Sequence, residues 1–258
     1  QWQPDVRMTN NPASSYKSDN NAWCIAVNGN IVHTVWHDDR DYNGEIYYKR
    51  STDGGTTWGA DTRLTNNSAE SFHPSIAISG SLVHIVWNDE RDGNSEIYYK
   101  RSTDGGITWG EDTRLTNNSA WSLYPSLAVF GFNVQAAWFD DRDGNYEIYY
   151  KSSTDGGITW GADTRLTNNN GSSVYPSIAV SGPYVHTVWY DNRNGNNEIY
   201  YKHSTDGGTT WGADTRLTNN VGNSWYPSIA VTGTNVNVVW YDNRDPLYKI
   251  YYKRSTDS

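Results

Sequence analysis

The octapeptide STDGGTTW, Ser51 to Trp58, returns as STDGGITW at Ser102 and Ser153 and as STDGGTTW at Ser204, and opens a fifth time at Ser255. The spacing is invariant. Asp53, Asp104, Asp155, Asp206 and Asp257 lie 51 residues apart, as do Trp36, Trp87, Trp138, Trp189 and Trp240. A fixed period of this length means that one structural unit is stacked against copies of itself, so the chain is one repeat domain of 258 residues.

Each unit reads as four short strands. In the fourth these are "YPSIAV", "YVHTVWYD", "EIYYKHSTD" and "TWGADTRLT". Runs rich in Val, Ile, Thr, Tyr and Trp, separated by Gly, Asn, Asp and Pro, are strand and hairpin signals, and no window carries a helical period. Four strands per repeat point to an all-β fold, a five-bladed β-propeller with four antiparallel strands in each blade. The boundaries predicted for blades 1 to 4 are about 22–65, 73–116, 124–167 and 175–218. Blade 5 takes about 226–258 together with 1–9, because "WQPDVRMT" at Trp2 matches "WGADTRLT" at Trp58. The N-terminal strand is thus expected to complete the last blade, closing the ring and covering an otherwise exposed edge.

Composition excludes several classes. Asp and Glu outnumber Lys and Arg by 29 to 20, a net charge of -9 without a basic cluster, which argues against nucleic acid. No apolar run reaches the roughly 20 residues that span a bilayer. The single cysteine, Cys24, rules out an internal disulfide framework. The N-terminus lacks a basic start and an apolar core, so any signal peptide is expected to have been removed and the location to be extracellular or periplasmic.

The Ser-x-Asp-x-Gly-x-Thr-Trp element resembles the Asp-box, or bacterial neuraminidase repeat, of sialidases and other propellers. In that family the box is a hairpin remote from the active site. The resemblance makes Asp53, Asp104, Asp155, Asp206 and Asp257 structural, with Trp58, Trp109, Trp160, Trp211 and Trp2. The physical reading agrees: the Asp can accept hydrogen bonds from its own turn, Gly54 and Gly55 supply positive φ, and Trp58 can fold back over the turn.

Antiparallel alternation places two other loops on the opposite face. One is "WHDDRDYNGE" and its copies, with Asp38/Arg40, Asp89/Arg91, Asp140/Arg142, Asp191/Arg193 and Asp242/Arg244. These pairs read either as structural locks or as a ring of arginines offered to an acidic or hydroxyl-rich ligand. The other is the blade-to-blade loop, which carries Trp23, Trp121 and Trp225, and Tyr124, Tyr175 and Tyr226 before a proline, with His73 at the equivalent position. Rings beside polar side chains suit sugar binding, and equally suit plugging gaps between blades. Acidic spacing does not match a calcium loop, and the periodic His33, His84 and His186 give way to Gln135 and Asn237, so neither metal nor cofactor is expected.

Sialidase resemblance implies three arginines, a tyrosine nucleophile with a glutamate, and an aspartate acid/base, usually on six blades with an Arg-Ile-Pro-type motif. No such motif occurs here; the nearest N-terminal arginine is Arg7. Catalysis needs groups of different role at one point, whereas a fivefold repeat offers the same group five times. The reading reached from sequence is therefore a non-catalytic propeller that binds carbohydrate or a cell-surface ligand, including a surface protein, through repeated sites. A sialidase-like glycoside hydrolase is the alternative, and a protein-interaction scaffold the third.

Overall fold

Every repeat forms its own antiparallel sheet in a computed structural model that describes residues 2–18, 23–245 and 247–257. The first sheet holds β1 (Ser15–Tyr16), β2 (Ile25–Asn28), β3 (Ile31–Asp38), β4 (Glu45–Ser51) and β5 (Thr62–Arg63). The second holds β6 (Ser71–Ser79), β7 (Leu82–Asp89), β8 (Glu96–Ser102) and β9 (Thr113–Arg114). In the third are β10 (Ser122–Phe130), β11 (Asn133–Asp140), β12 (Glu147–Ser153) and β13 (Thr164–Arg165). The fourth contains β14 (Ser173–Ser181), β15 (Tyr184–Asp191), β16 (Glu198–Ser204) and β17 (Thr215–Arg216). The fifth has three strands, β18 (Ser224–Thr232), β19 (Asn235–Asp242) and β20 (Lys249–Ser255). No helix occurs among the described residues. Sheets begin two residues earlier than the sequence suggested, at Ser71, Ser122, Ser173 and Ser224, and β1 adds a piece ahead of the first.

The innermost strands line a central cavity of about 490 Å³, walled by Ile25, Ile76, Leu127, Ile178 and Ile229 with the Ala and the Val or Ile that follow them. The periodic tryptophan is the centre of each joint between blades. Trp87 and Ile85 of the second blade pack on Ile46 and Tyr48 of the first, and Trp138 packs likewise on Ile97 and Tyr99. Removing such a buried ring would cost about 3–5 kcal/mol.

The recurring turn is built as its chemistry suggests. Asp53 Oδ1 accepts the Thr57 N–H at 2.8 Å, and Oδ2 accepts the Thr57 hydroxyl at 2.6 Å. Those Thr57 bonds, with that from Ser51, hold the Asp53 carboxyl at a pKa of about 2. Trp211 folds back to donate to Gly208 O at 3.1 Å, and Trp109 offers its ring edge to Tyr48 of the preceding blade at 4.9 Å.

Strand pairing does not show the expected ring closure. Residues 2–9 carry no strand, β20 has no outer partner among the described residues, and Trp2 is fully exposed. Ile250 and Tyr252 are 76% and 58% exposed, where Ile46 and Tyr48 are 0% and 1%. The reason lies in which side holds the N-terminal segment. Lys49 Nζ donates to Met8 O at 2.7 Å, just as Lys100 Nζ donates to Leu64 O of the preceding blade at 2.6 Å. The segment therefore rests on blade 1, in the place of a preceding blade's last strand, and β20 does not reach it.

Candidate functional site at the axial mouth

The hairpin loops after β3, β7, β11, β15 and β19 share one end of the sheets with the blade-to-blade loops, as backbone bonds such as Ser71 N to Gly44 O (2.7 Å) require. The Asp53-type turns occupy the other end, where Gly54 N meets Asn30 O at 2.8 Å.

On the first face each Asp–Arg pair is tied inward. Arg91 Nε and Nη2 form a two-pronged bond to Asp89 (2.7 and 2.6 Å), and Nη1 reaches Asp112 at 2.8 Å. The guanidinium also lies 4.3 Å over the Tyr98 ring. Asp89 is fully buried; it accepts from Trp87 Nε1 (2.8 Å) and from Ser71 Oγ (2.8 Å), at the base of the loop arriving from the previous blade. Burial alone would raise its carboxyl, but the bonds from Arg91, Trp87 and Ser71 hold it below the ordinary range. Asp38/Arg40 and Asp140/Arg142 repeat the pattern with Asp61 and Asp163, and Arg193 bonds Asp191 through Nη2 and Asp214 through Nη1. Arg244 keeps Asp242 alone.

The residues before the prolines converge. His73, Tyr124, Tyr175 and Tyr226 all have positive φ (56°, 52°, 55° and 48°) beside a β-bulge, a backbone state costing of order 1–3 kcal/mol in a non-glycine residue. The strain turns four rings towards one another across four blades. Centroids are 4.0 Å apart for His73–Tyr124, 4.6 Å for Tyr124–Tyr175 and 4.7 Å for Tyr175–Tyr226. Burial and a hydrogen bond with Tyr124 push the Tyr175 phenol well above its usual pKa. In blade 1, strand register puts Lys17 at this position. The residues after the periodic tryptophans surround the cluster: His37 contacts His73 at 5.7 Å, Phe139 contacts Tyr124 at 5.4 Å, and Tyr241 contacts Tyr226 at 5.3 Å.

The rim is not fivefold. Between Asp and Arg of successive hairpins stand Asp39, Glu90, Asp141, Asn192 and Asn243, so carboxylates occur in blades 1 to 3 only. Glu90 N donates to Glu70 O at 3.0 Å, which brings the blade-to-blade loop and the hairpin of blade 2 together. Glu90 is an exposed residue, yet partial burial of its carboxyl, with the charges of Glu70 and Asp89, raises its pKa. Glu70 Oε2 accepts the Gly44 N–H at 2.6 Å. Across the mouth, Trp225 lies 5.6 Å from Tyr241 and 5.8 Å from Tyr248, while the backbone N–H of Trp121, a residue 55% exposed, donates to Asp141 Oδ1 at 2.8 Å. Trp23 is separate from this group: it lines the central cavity. Reading the repeat for what recurs passed over Glu70 and Glu90; the sequence signal was the departure from the repeat.

No protein-family model and no curated protein matches the sequence. Among solved structures, an endo-arabinanase from Bacillus licheniformis superposes with a TM-score of 0.52 at 16% identity, covering 93% of this chain and 95% of its own. An α-L-arabinofuranosidase of Fusarium graminearum, solved with arabinobiose, gives 0.60 at 15%, covering 92% and 79%. Trypanosoma rangeli sialidase gives 0.56 at 14%, covering 89% of this chain and 54% of the sialidase. At these identities the likeness establishes the propeller fold. All three are glycoside hydrolases, against the expectation of a non-catalytic binding propeller.

Proposed function

We propose that this protein is a glycoside hydrolase whose reaction takes place at the axial mouth, with Glu90 and Glu70 as its carboxyl pair. The observation that carries this reading is the pairing of the two glutamates at a single junction of an otherwise repeated ring. Glycosidic bonds are commonly cleaved by two carboxyl groups in different protonation states. Glu90, raised by partial burial and by Glu70, stays protonated at higher pH than a free carboxyl and donates to the leaving oxygen. Glu70, oriented by the Gly44 N–H, serves as the second carboxylate. Strained aromatics beside them support the same place, since unfavourable backbone states concentrate at functional sites.

The Asp–Arg pairs are assigned to the scaffold and the rings of Trp121, Trp225, Tyr124, Tyr175 and Tyr226 to sugar contact. The finer architecture belongs to this reading too: Asp-box turns, export from the cell, and five blades closed by residues 2–9. The hold of Lys49 on Met8 supports the last of these.

The test is release of nitrophenol or methylumbelliferone from a panel of glycosides that includes an α-L-arabinofuranoside and a sialoside. Glu90→Gln is expected to lower kcat by about 10²–10⁴-fold with its melting temperature unchanged. Hydrolysis should decline towards alkaline pH as Glu90 ionises. No release from any substrate, or full activity in Glu90→Gln, would refute the assignment.

A further inference from the structure

Resting on the hydrolase reading, we infer that the mouth takes a neutral oligosaccharide chain several sugars long, laid along a continuous aromatic band, and excludes anionic sugars. The band runs from His73 through Tyr124, Tyr175 and Tyr226 to Tyr241 and Trp225, with no step between ring centroids longer than the 5.6 Å of the last. Tyr248, 65% exposed, extends it outward in the fifth blade, as Tyr146 does through Phe139 in the third. Its beginning, His73, lies three residues from Glu70, so the band leads away from the proposed acid pair towards blade 5. The rings pack on one another and form a run long enough to lie under a chain of sugars. Flat stacking supplies contact without selecting charge.

Charge selects against anions. Capture of a sugar carboxylate needs a free guanidinium, the group best shaped for two-pronged bonding. Here the five arginines of the face are each held by the Asp two residues earlier, and four hold a second Asp. Arg63, Arg114, Arg165 and Arg216 are likewise held by buried glutamates. By contrast Asp39, Glu70, Glu90 and Asp141 form no ion pair among the described residues. Lys17, with its ammonium on Ser18 O at 3.0 Å, and Lys249, exposed beside Tyr248, are opposing charges, outnumbered by these four carboxylates. A carboxylated sugar entering this mouth would meet net repulsion.

Affinity electrophoresis reads this without requiring turnover. Native gels cast with linear arabinan, a neutral polymer, should retard the protein, and gels with polysialic acid should not. Trp225→Ala combined with Tyr248→Ala should weaken retardation about tenfold, with Trp225→Phe restoring part of it and melting temperatures verifying the fold. Equal retardation of the double variant, or stronger retardation by polysialic acid, overturns the inference. Failure of the hydrolase reading would look different: arabinan would retard the protein yet remain uncleaved.

Discussion

Three buried histidines show how a repeat position can be filled by different chemistry. His84 Nδ1 lies 2.7 Å from the Tyr99 hydroxyl, and in blade 3 Gln135 takes the same role with Tyr150. Burial, with a smaller contribution from Arg101, lowers the His84 pKa to about 4, and His33 and His186 are lowered to about the same value. The unfolded chain therefore binds more protons between that value and its own, near 6.5. Stability is complete above that upper limit and falls as pH drops towards 4. His84→Gln should melt close to the parent at pH 7 and lose about a third less on going to pH 5, three comparable groups being involved. Calorimetry at the two pH values checks it; an unchanged loss would mean that His84 is not held neutral. Substitutions of this kind were legible from sequence, because a periodic position announces its exceptions. Glu70 and Glu90 were not, since their significance depends on a loop and a hairpin 20 residues apart being brought side by side.

At the scale of the element, the joint between blades rests on one tyrosine entering the turn of the next blade. A Cβ on Gly157, at φ 81°, would overlap the Tyr99 hydroxyl, and Gly106 and Gly208 receive Tyr48 and Tyr150 in the same way. Gly157→Ala should destabilise by about 1–3 kcal/mol from overpacking, with backbone strain added. Tyr99→Phe should relieve part of that loss, which a double-mutant cycle by urea unfolding would measure. Independent effects of the two changes would show that the hydroxyl does not seat there. Strands and turns were readable from Val, Ile, Tyr and Gly patterns alone. The socket was not, because nothing in "STDGGITW" names the tyrosine from the previous repeat that fills its second glycine.

Across the whole molecule, closing the ring as proposed would make one further joint from the two ends. Tyr252, Arg254 and Ser228 of blade 5 correspond to Tyr48, Arg50 and Ser75. Those three meet the Gly106 turn, Gly105 O at 2.7 Å and the Leu127 N–H of blade 3 at 3.1 Å, respectively. On blade 1, the nearest atom to a Cβ on Gly55 is its own Trp58, at 3.8 Å, so that socket holds no tyrosine here. The pairing of Tyr47 with Arg63 places Arg7 opposite Tyr251 once the ends meet. In a Cys24→Ser background, Arg7→Cys with Tyr251→Cys should then oxidise to an intrachain disulfide, since facing residues of antiparallel strands lie about 4.5–5.5 Å apart. A fast monomer band on a non-reducing gel is expected. Dimers, or thiols that stay free, would mean that the ends do not close on each other. Gly55→Ala gives a second measure: loss comparable to Gly157→Ala if Tyr252 seats there, and only the smaller cost of the left-handed backbone if it does not.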